Sequence, residues 1–186
     1  VIFLVSILAV LQYFTEIGIV AQEPDETYRA QEHYDKSIHW IPMRDGTRLF
    51  TIIYSPRDSG RDYPVMLFRT PYSIAPYEQE KFHRVLGPSP LFAQDGYIFV
   101  YQDVRGKFQS PGKFEVMKPL RVKNGSDDPV VSDESTDTYD TIQWILDHLP
   151  NHNDRVGQWG ISYPGWQTVM GMIDAHPALK ASSPQA

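Results

Sequence analysis

The sequence predicts an α/β domain, the amino-terminal part of a mostly parallel sheet that opens on an antiparallel pair. Three observations carry this. Short continuous apolar runs at Pro64–Phe68 (PVMLF) and Tyr97–Tyr101 (YIFVY) suit strands covered on both faces. Ahead of them, two β-branched and aromatic-rich runs flank an Asp-Gly turn. Behind them, an amphipathic helical stretch, a brief strand and a second helical stretch follow in alternation.

Taken in order, Ser37–Pro42 (SIHWIP) and Thr47–Tyr54 (TRLFTIIY) with Arg44-Asp45-Gly46 between them read as a hairpin. Between the two apolar strands, Tyr77–Leu86 and Pro90–Asp95 can be helical, the latter closing on Gly96. Residues 110–135 hold Pro111, Gly112, Asn124, Gly125 and Pro129 and read as a long loop. Thr136–Leu149 places Tyr139, Ile142, Trp144, Ile145 and Leu149 close to a 3.6-residue repeat. Its acidic start and His148 near its end complement the helix dipole. Val156–Trp159 is a strand candidate, and Pro164–Ala175 a helix with proline in its tolerant first turn.

A chain of 186 residues can bury one core, and 41% hydrophobic with 22% charged residues is a globular composition. The net charge of -6 argues against a nucleic-acid partner. With no cysteine, disulfides, thiol catalysis and thiolate metal sites are excluded. Val1–Leu11 is apolar and uncharged but shorter than a bilayer span of about 20 residues. Ile19-Val20-Ala21 then offers a small residue before the polar stretch Gln22–Glu26. We therefore expect a signal peptide over residues 1–21, a polar linker over 22–36 and one domain portion over 37–186. The expected location is secreted or periplasmic, with a retained membrane anchor as the alternative for the first segment. The start has neither an initiator Met nor a basic leader, so a truncated chain is expected.

The segment with chemical content is Gly160-Ile161-Ser162-Tyr163-Pro164-Gly165. Gly-x-Ser-x-Gly between a strand and a helix is the nucleophile elbow of the α/β-hydrolase fold, a tight turn that lifts a serine hydroxyl above the sheet. Here the second glycine comes one position late, and a helix-capping serine is the competing reading.

Several segments together resemble one family, the CocE/NonD hydrolases, which are X-Pro dipeptidyl-peptidase-like serine hydrolases. The matches in order are Arg69-Thr70-Pro71-Tyr72, then Gln102-Asp103-Val104-Arg105-Gly106 with Ser110-Pro111-Gly112. Glu134 and Asp137 follow with Tyr139–Ile145, then the Gly-x-Ser-Tyr-x-Gly elbow, then His176–Lys180. The resemblance covers residues 37–186. It implies an α/β-hydrolase fold, incomplete in this chain, that cleaves esters or amides through an acyl-Ser162 intermediate. It implies Ser162 as nucleophile, with the Tyr163 backbone N–H and the Tyr72 hydroxyl as oxyanion donors. X-Pro dipeptides and α-amino acid esters are both substrates of the implied type.

In this fold the triad runs Ser, then Asp or Glu, then His. His33, His39, His83, His148 and His152 precede Ser162, and His176 sits where it would cap the elbow helix. The triad Asp and His are thus expected to be absent from this chain, and the 186-residue piece to be inactive with an unpaired sheet edge. Arg69, Asp103 and Arg105 read as loop-tying ion-pair residues, and Glu134 and Asp137 as helix-start residues. No His-Glu-x-x-His spacing occurs, and neither metal nor cofactor is expected. The expected partner is a small ester, amide or peptide. The alternative function is a secreted, non-catalytic binding domain on the same fold.

Overall fold

The structure, a computed structural model, describes residues 28–120 and 132–186. A single helical turn α1 (Ala30–His33) leads into β1 (Tyr34–Pro42), β2 (Arg48–Pro56) and β3 (Tyr63–Thr70). Helix α2 (Pro90–Asp95), β4 (Ile98–Asp103), α3 (Glu134–His148), β5 (His152–Ile161), α4 (Tyr163–Gly171) and β6 (Leu179–Gln185) follow. The strands form one sheet in the order β1-β2-β4-β3-β5-β6. β1, β2 and β4 pair antiparallel, while β4/β3, β3/β5 and β5/β6 are parallel. The expected signal segment, residues 1–21, lies outside the described residues.

The alternation along β4 shows why its sequence reads as a continuous apolar run. Ile98 and Val100 join one core cluster, with Val65, Leu67, Ile142 and Ile145. Phe99 and Tyr101 join the other, with Tyr34, Ile52 and Tyr54. Helix α3 supplies the first cluster, and α2 with the stretch before it supplies the second. Both faces of the strand are therefore covered, as a parallel strand between layers requires.

Local chemistry fixes the elements. The β1–β2 turn closes with Gly46 at φ 82 and the Thr47 N–H donated to Asp45. Ser89 caps α2, which opens on Pro90 and ends on left-handed Gly96, as the sequence predicts. Asp133 and Thr136 form a reciprocal capping box at the start of α3.

Four expectations are corrected. The linker expected to reach residue 36 ends earlier, because Tyr34–Lys36 already belong to β1. Tyr34 is 1% exposed and donates its hydroxyl to the Ala93 carbonyl at 2.9 Å. Buried Lys36 donates from Nζ to the carbonyls of Pro76, Glu78 and Lys81 at 2.7, 2.8 and 2.7 Å. That triple contact also explains why Tyr77–Leu86 is not a helix. Carbonyls that a helix would pair with N–H groups four residues on converge instead on one ammonium. The elbow helix ends at Gly171 rather than 175, its last turn tightened by Met172 and Ile173 N–H bonds to Val169 and Met170 carbonyls. Finally, Leu179–Gln185 forms a strand that its polar sequence, LKASSPQ, does not announce.

Within the expected loop at 110–135, residues 110–120 carry no helix or strand, and α3 begins at Glu134. Residues 121–131 lie outside the described residues.

Candidate active site

Because β3 lies between β4 and β5, the carboxyl ends of three parallel strands stand side by side. Ligands of open α/β sheets bind outside these ends. Thr70 ends β3, Asp103 ends β4, and Ile161 ends β5 one residue before Ser162.

Ser162 has φ 61 and ψ -125, a combination outside the ordinary left-handed region. Such strain costs on the order of 1–3 kcal/mol and persists only where the surroundings impose it. The Ser162 N–H donates to the Gln185 carbonyl at 2.9 Å, and its carbonyl accepts from the Trp166 N–H at 3.1 Å. A Cβ on Gly160 would collide with the Pro164 carbonyl, and one on Gly165 with the Gln185 carbonyl. This accounts for the displaced glycine. The close approach that demands a bare backbone falls at position 165, beneath the end of β6. Gly160→Ala is expected to cost about 1–3 kcal/mol by overpacking, read as a lowered thermal denaturation midpoint.

Tyr163 is the first residue of α4, so its N–H belongs to the set that a helix start leaves without an intrahelical acceptor. Its ring meets Tyr72 edge-on, with centroids 6.2 Å apart and planes at 77°. The structure thus brings Tyr72 beside the elbow. Tyr72 is 62% exposed, and its hydroxyl makes no hydrogen bond to any described residue. Phe114 and Trp166 also pack on the Tyr163 ring, at 5.9 and 5.3 Å. The Met117 N–H donates to the Tyr163 hydroxyl at 2.7 Å, which fastens the 106–118 loop over the start of α4. The ring of Tyr163, the residue after Ser162, is thus surrounded by aromatic side chains.

A buried charge cluster lies at the carboxyl ends of β3 and β4. Arg69 donates to Gln102 at 2.8 Å and Thr138 at 2.8 Å and pairs with Glu134 at 3.1 Å. Arg105 bridges Asp137 at 2.7 Å and Asp45 at 2.6 Å. Burial pushes the Glu134 carboxyl up, opposed by the adjacent Arg69 guanidinium. Arg105 therefore ties the β1–β2 turn to α3, whereas Arg69 pins α3 to the strands rather than tying loops, and Glu134 and Asp137 occupy the first turn of α3 as expected. Asp103 departs from that reading. It pairs with no cation among the described residues and accepts instead from Ile74 N–H, Tyr77 O–H and Gln109 N–H. Nothing in the sequence points to Tyr77 as its partner, since the two meet only through the fold.

None of the histidines reaches Ser162. His176 is not a cap on α4, which ends before it. Its Nδ1 accepts the Ala178 N–H at 3.1 Å, so its Nε2 carries the proton and donates to Gln143 at 3.1 Å. Burial lowers its pKa, against the nearby Asp147 carboxylate, which raises it. His83 bonds the Ile74 carbonyl, His152 the Leu146 carbonyl, His148 the Trp144 carbonyl and His39 the Ser37 hydroxyl. His33 stacks on Tyr28.

Comparison with known families decides the assignment: the model of X-Pro dipeptidyl-peptidase (S15 family) matches residues 45–186. The chain belongs to the X-Pro dipeptidyl-peptidase (S15) family. Among curated relatives, cocaine esterase of Rhodococcus sp. (strain MB1 Bresler) is 34% identical over 149 residues, 77% of this chain and 22% of the esterase. The solved α-amino acid ester hydrolase is 36% identical with a TM-score of 0.68, covering 88% of this chain and 27% of that one. An aminopeptidase from a marine sediment Thaumarchaeota archaeon is 36% identical with a TM-score of 0.67, covering 87% and 27%. This S15-family chain thus spans about a quarter of the length of those relatives, and it forms part of an α/β-hydrolase-like fold.

Proposed function

We propose that the protein carrying this chain is a serine hydrolase that cleaves esters or amides through an acyl-Ser162 intermediate. The observation that carries this reading is the strained Ser162 at a strand-to-helix turn, followed by Tyr163, whose ring meets that of Tyr72. Serine is a weak nucleophile until a base accepts its proton. In this proposal Ser162 Oγ attacks the acyl carbon while a histidine takes the proton, and the carbonyl oxygen becomes an oxyanion. The Tyr163 N–H and the Tyr72 hydroxyl donate to that oxyanion. Collapse expels the alcohol or amine, which takes the proton back from the histidine. Water then attacks the acyl-enzyme by the same path in reverse.

The six histidines make their contacts with groups other than Ser162, and in this proposal the base and its acidic partner come from sequence outside these 186 residues. The aromatic cluster around Tyr163, the residue after Ser162, suits an apolar acyl group. The similarity to an ester hydrolase and an aminopeptidase supports α-amino acid esters and short peptides as substrate classes, and the match to the X-Pro dipeptidyl-peptidase family adds X-Pro peptides. Residues 1–21 are proposed to direct export to the periplasm or exterior, by the sequence pattern given above.

The test compares the full-length protein with the 186-residue chain on p-nitrophenyl acetate and an X-Pro p-nitroanilide. The full-length protein is expected to turn over at least one of them, and the short chain neither. A folded full-length protein inert toward both, or a fully active short chain, contradicts the proposal.

A further inference from the structure

Ser73, directly after Tyr72, has φ 84, a conformation that serine rarely adopts. A strained residue beside a proposed oxyanion donor needs something to hold it there. Its hydroxyl oxygen accepts the Ala75 N–H at 3.1 Å and lies 3.0 Å from the Tyr77 hydroxyl. The Tyr77 hydroxyl lies 2.9 Å from Oδ2 of Asp103, which is fully buried at the end of β4. Asp103 Oδ1 accepts the Ile74 N–H at 3.1 Å, and Oδ2 also accepts the Gln109 N–H at 3.3 Å.

Proton counting gives this chain a direction. An ionised carboxylate only accepts, so the single Tyr77 proton goes to Asp103. The Tyr77 oxygen then accepts from Ser73, whose own oxygen already accepts from Ala75. Each hydroxyl has one donor and one acceptor role filled, which leaves the loop one arrangement. Burial pushes the Asp103 carboxyl up, while the donors from Gln109, Tyr77 and Ile74 favour its anion. The Tyr77 ring is itself packed edge-on against Phe50 at 5.6 Å, so the hydroxyl enters from a fixed direction.

We propose that Tyr77 and Asp103, acting through Ser73, are positioning residues that hold the Tyr72 hydroxyl in its oxyanion-binding place. The proposal rests on the assignment of Tyr72 made above. It distinguishes Asp103 from the neighbouring Arg69 and Arg105: those tie α3 to the sheet, whereas Asp103 organises the loop that presents the donor.

The test is a double-mutant cycle in the full-length protein with an activated ester, using Tyr72→Phe, Tyr77→Phe and both together. Tyr77→Phe keeps the ring on Phe50 and removes only the bridging hydroxyl. It should lower kcat about tenfold with KM nearly unchanged, the effect of a small displacement of a reacting group. In the Tyr72→Phe background it should cost nothing more, because the group it positions is gone. Ser73→Ala should give the same pattern and serves if Tyr77→Phe does not fold. Equal losses in both backgrounds, or a wild-type kcat in Tyr77→Phe, would overturn the positioning role alone. A wild-type rate in Tyr72→Phe by itself would instead overturn the oxyanion assignment, and this inference with it.

Discussion

Ser162→Ala in the full-length protein is expected to lower kcat for an activated ester by on the order of 10⁴-fold or more, the scale seen when a triad nucleophile is removed. The size follows from what is lost. Without Oγ no acyl-enzyme forms, and only binding and the oxyanion donors remain to assist direct attack by water. Stability should hardly move. Ser162 is exposed, and the bonds that hold its strained backbone, to Gln185 and from Trp166, are made by main-chain atoms. Alanine keeps both, so the thermal midpoint should stay within the small range of surface substitutions, about 0.5 kcal/mol. Parallel kinetics and thermal denaturation check this: activity falls while the midpoint stays. Retained turnover would remove Ser162 from the chemistry, and a collapse in stability would mean that it serves the turn.

Tyr72→Phe is the second large effect. Loss of one oxyanion donor typically costs about 10²–10³ in kcat. The hydroxyl is free of other work, being exposed and without a hydrogen bond to any described residue, so its removal should leave the fold intact. Phenylalanine also keeps the edge-on contact with Tyr163. The interaction is made with charge that develops only after attack, so KM should change little while kcat and kcat/KM fall together. A rise in KM at constant kcat would make Tyr72 a substrate-binding residue instead.

The elbow and the central strands are legible in the sequence because their constraints are local. β4 is apolar at successive positions because both faces are covered, and Gly160 is bare because the chain folds back on it within four residues. What eluded sequence reasoning depends on partners distant in the chain. Lys36 looks like a solvated linker residue until the carbonyls of Pro76, Glu78 and Lys81 surround it, and the same contact erases the expected helix at 77–86. β6 has a coil-like composition and is a strand through its main-chain ladder to β5. Asp103 reads as half of an ion pair because charge is visible in sequence, whereas its partners are a phenol and two amides. His176 reads as a cap because helix length is uncertain by a turn from periodicity alone. The pairing of Tyr72 with the turn at Ser162 and Tyr163 follows from family resemblance; nothing in the spacing of these residues predicts it.

These readings converge on one claim, that Ser162 is the group acylated. The direct measurement is to treat the full-length protein with a fluorophosphonate and map the adduct by peptide mass spectrometry. The account predicts one adduct per chain, on the peptide containing Ser162, with activity lost in proportion and no labelling of Ser162→Ala. An active protein that resists the probe, or an adduct on another residue that abolishes activity, would contradict it.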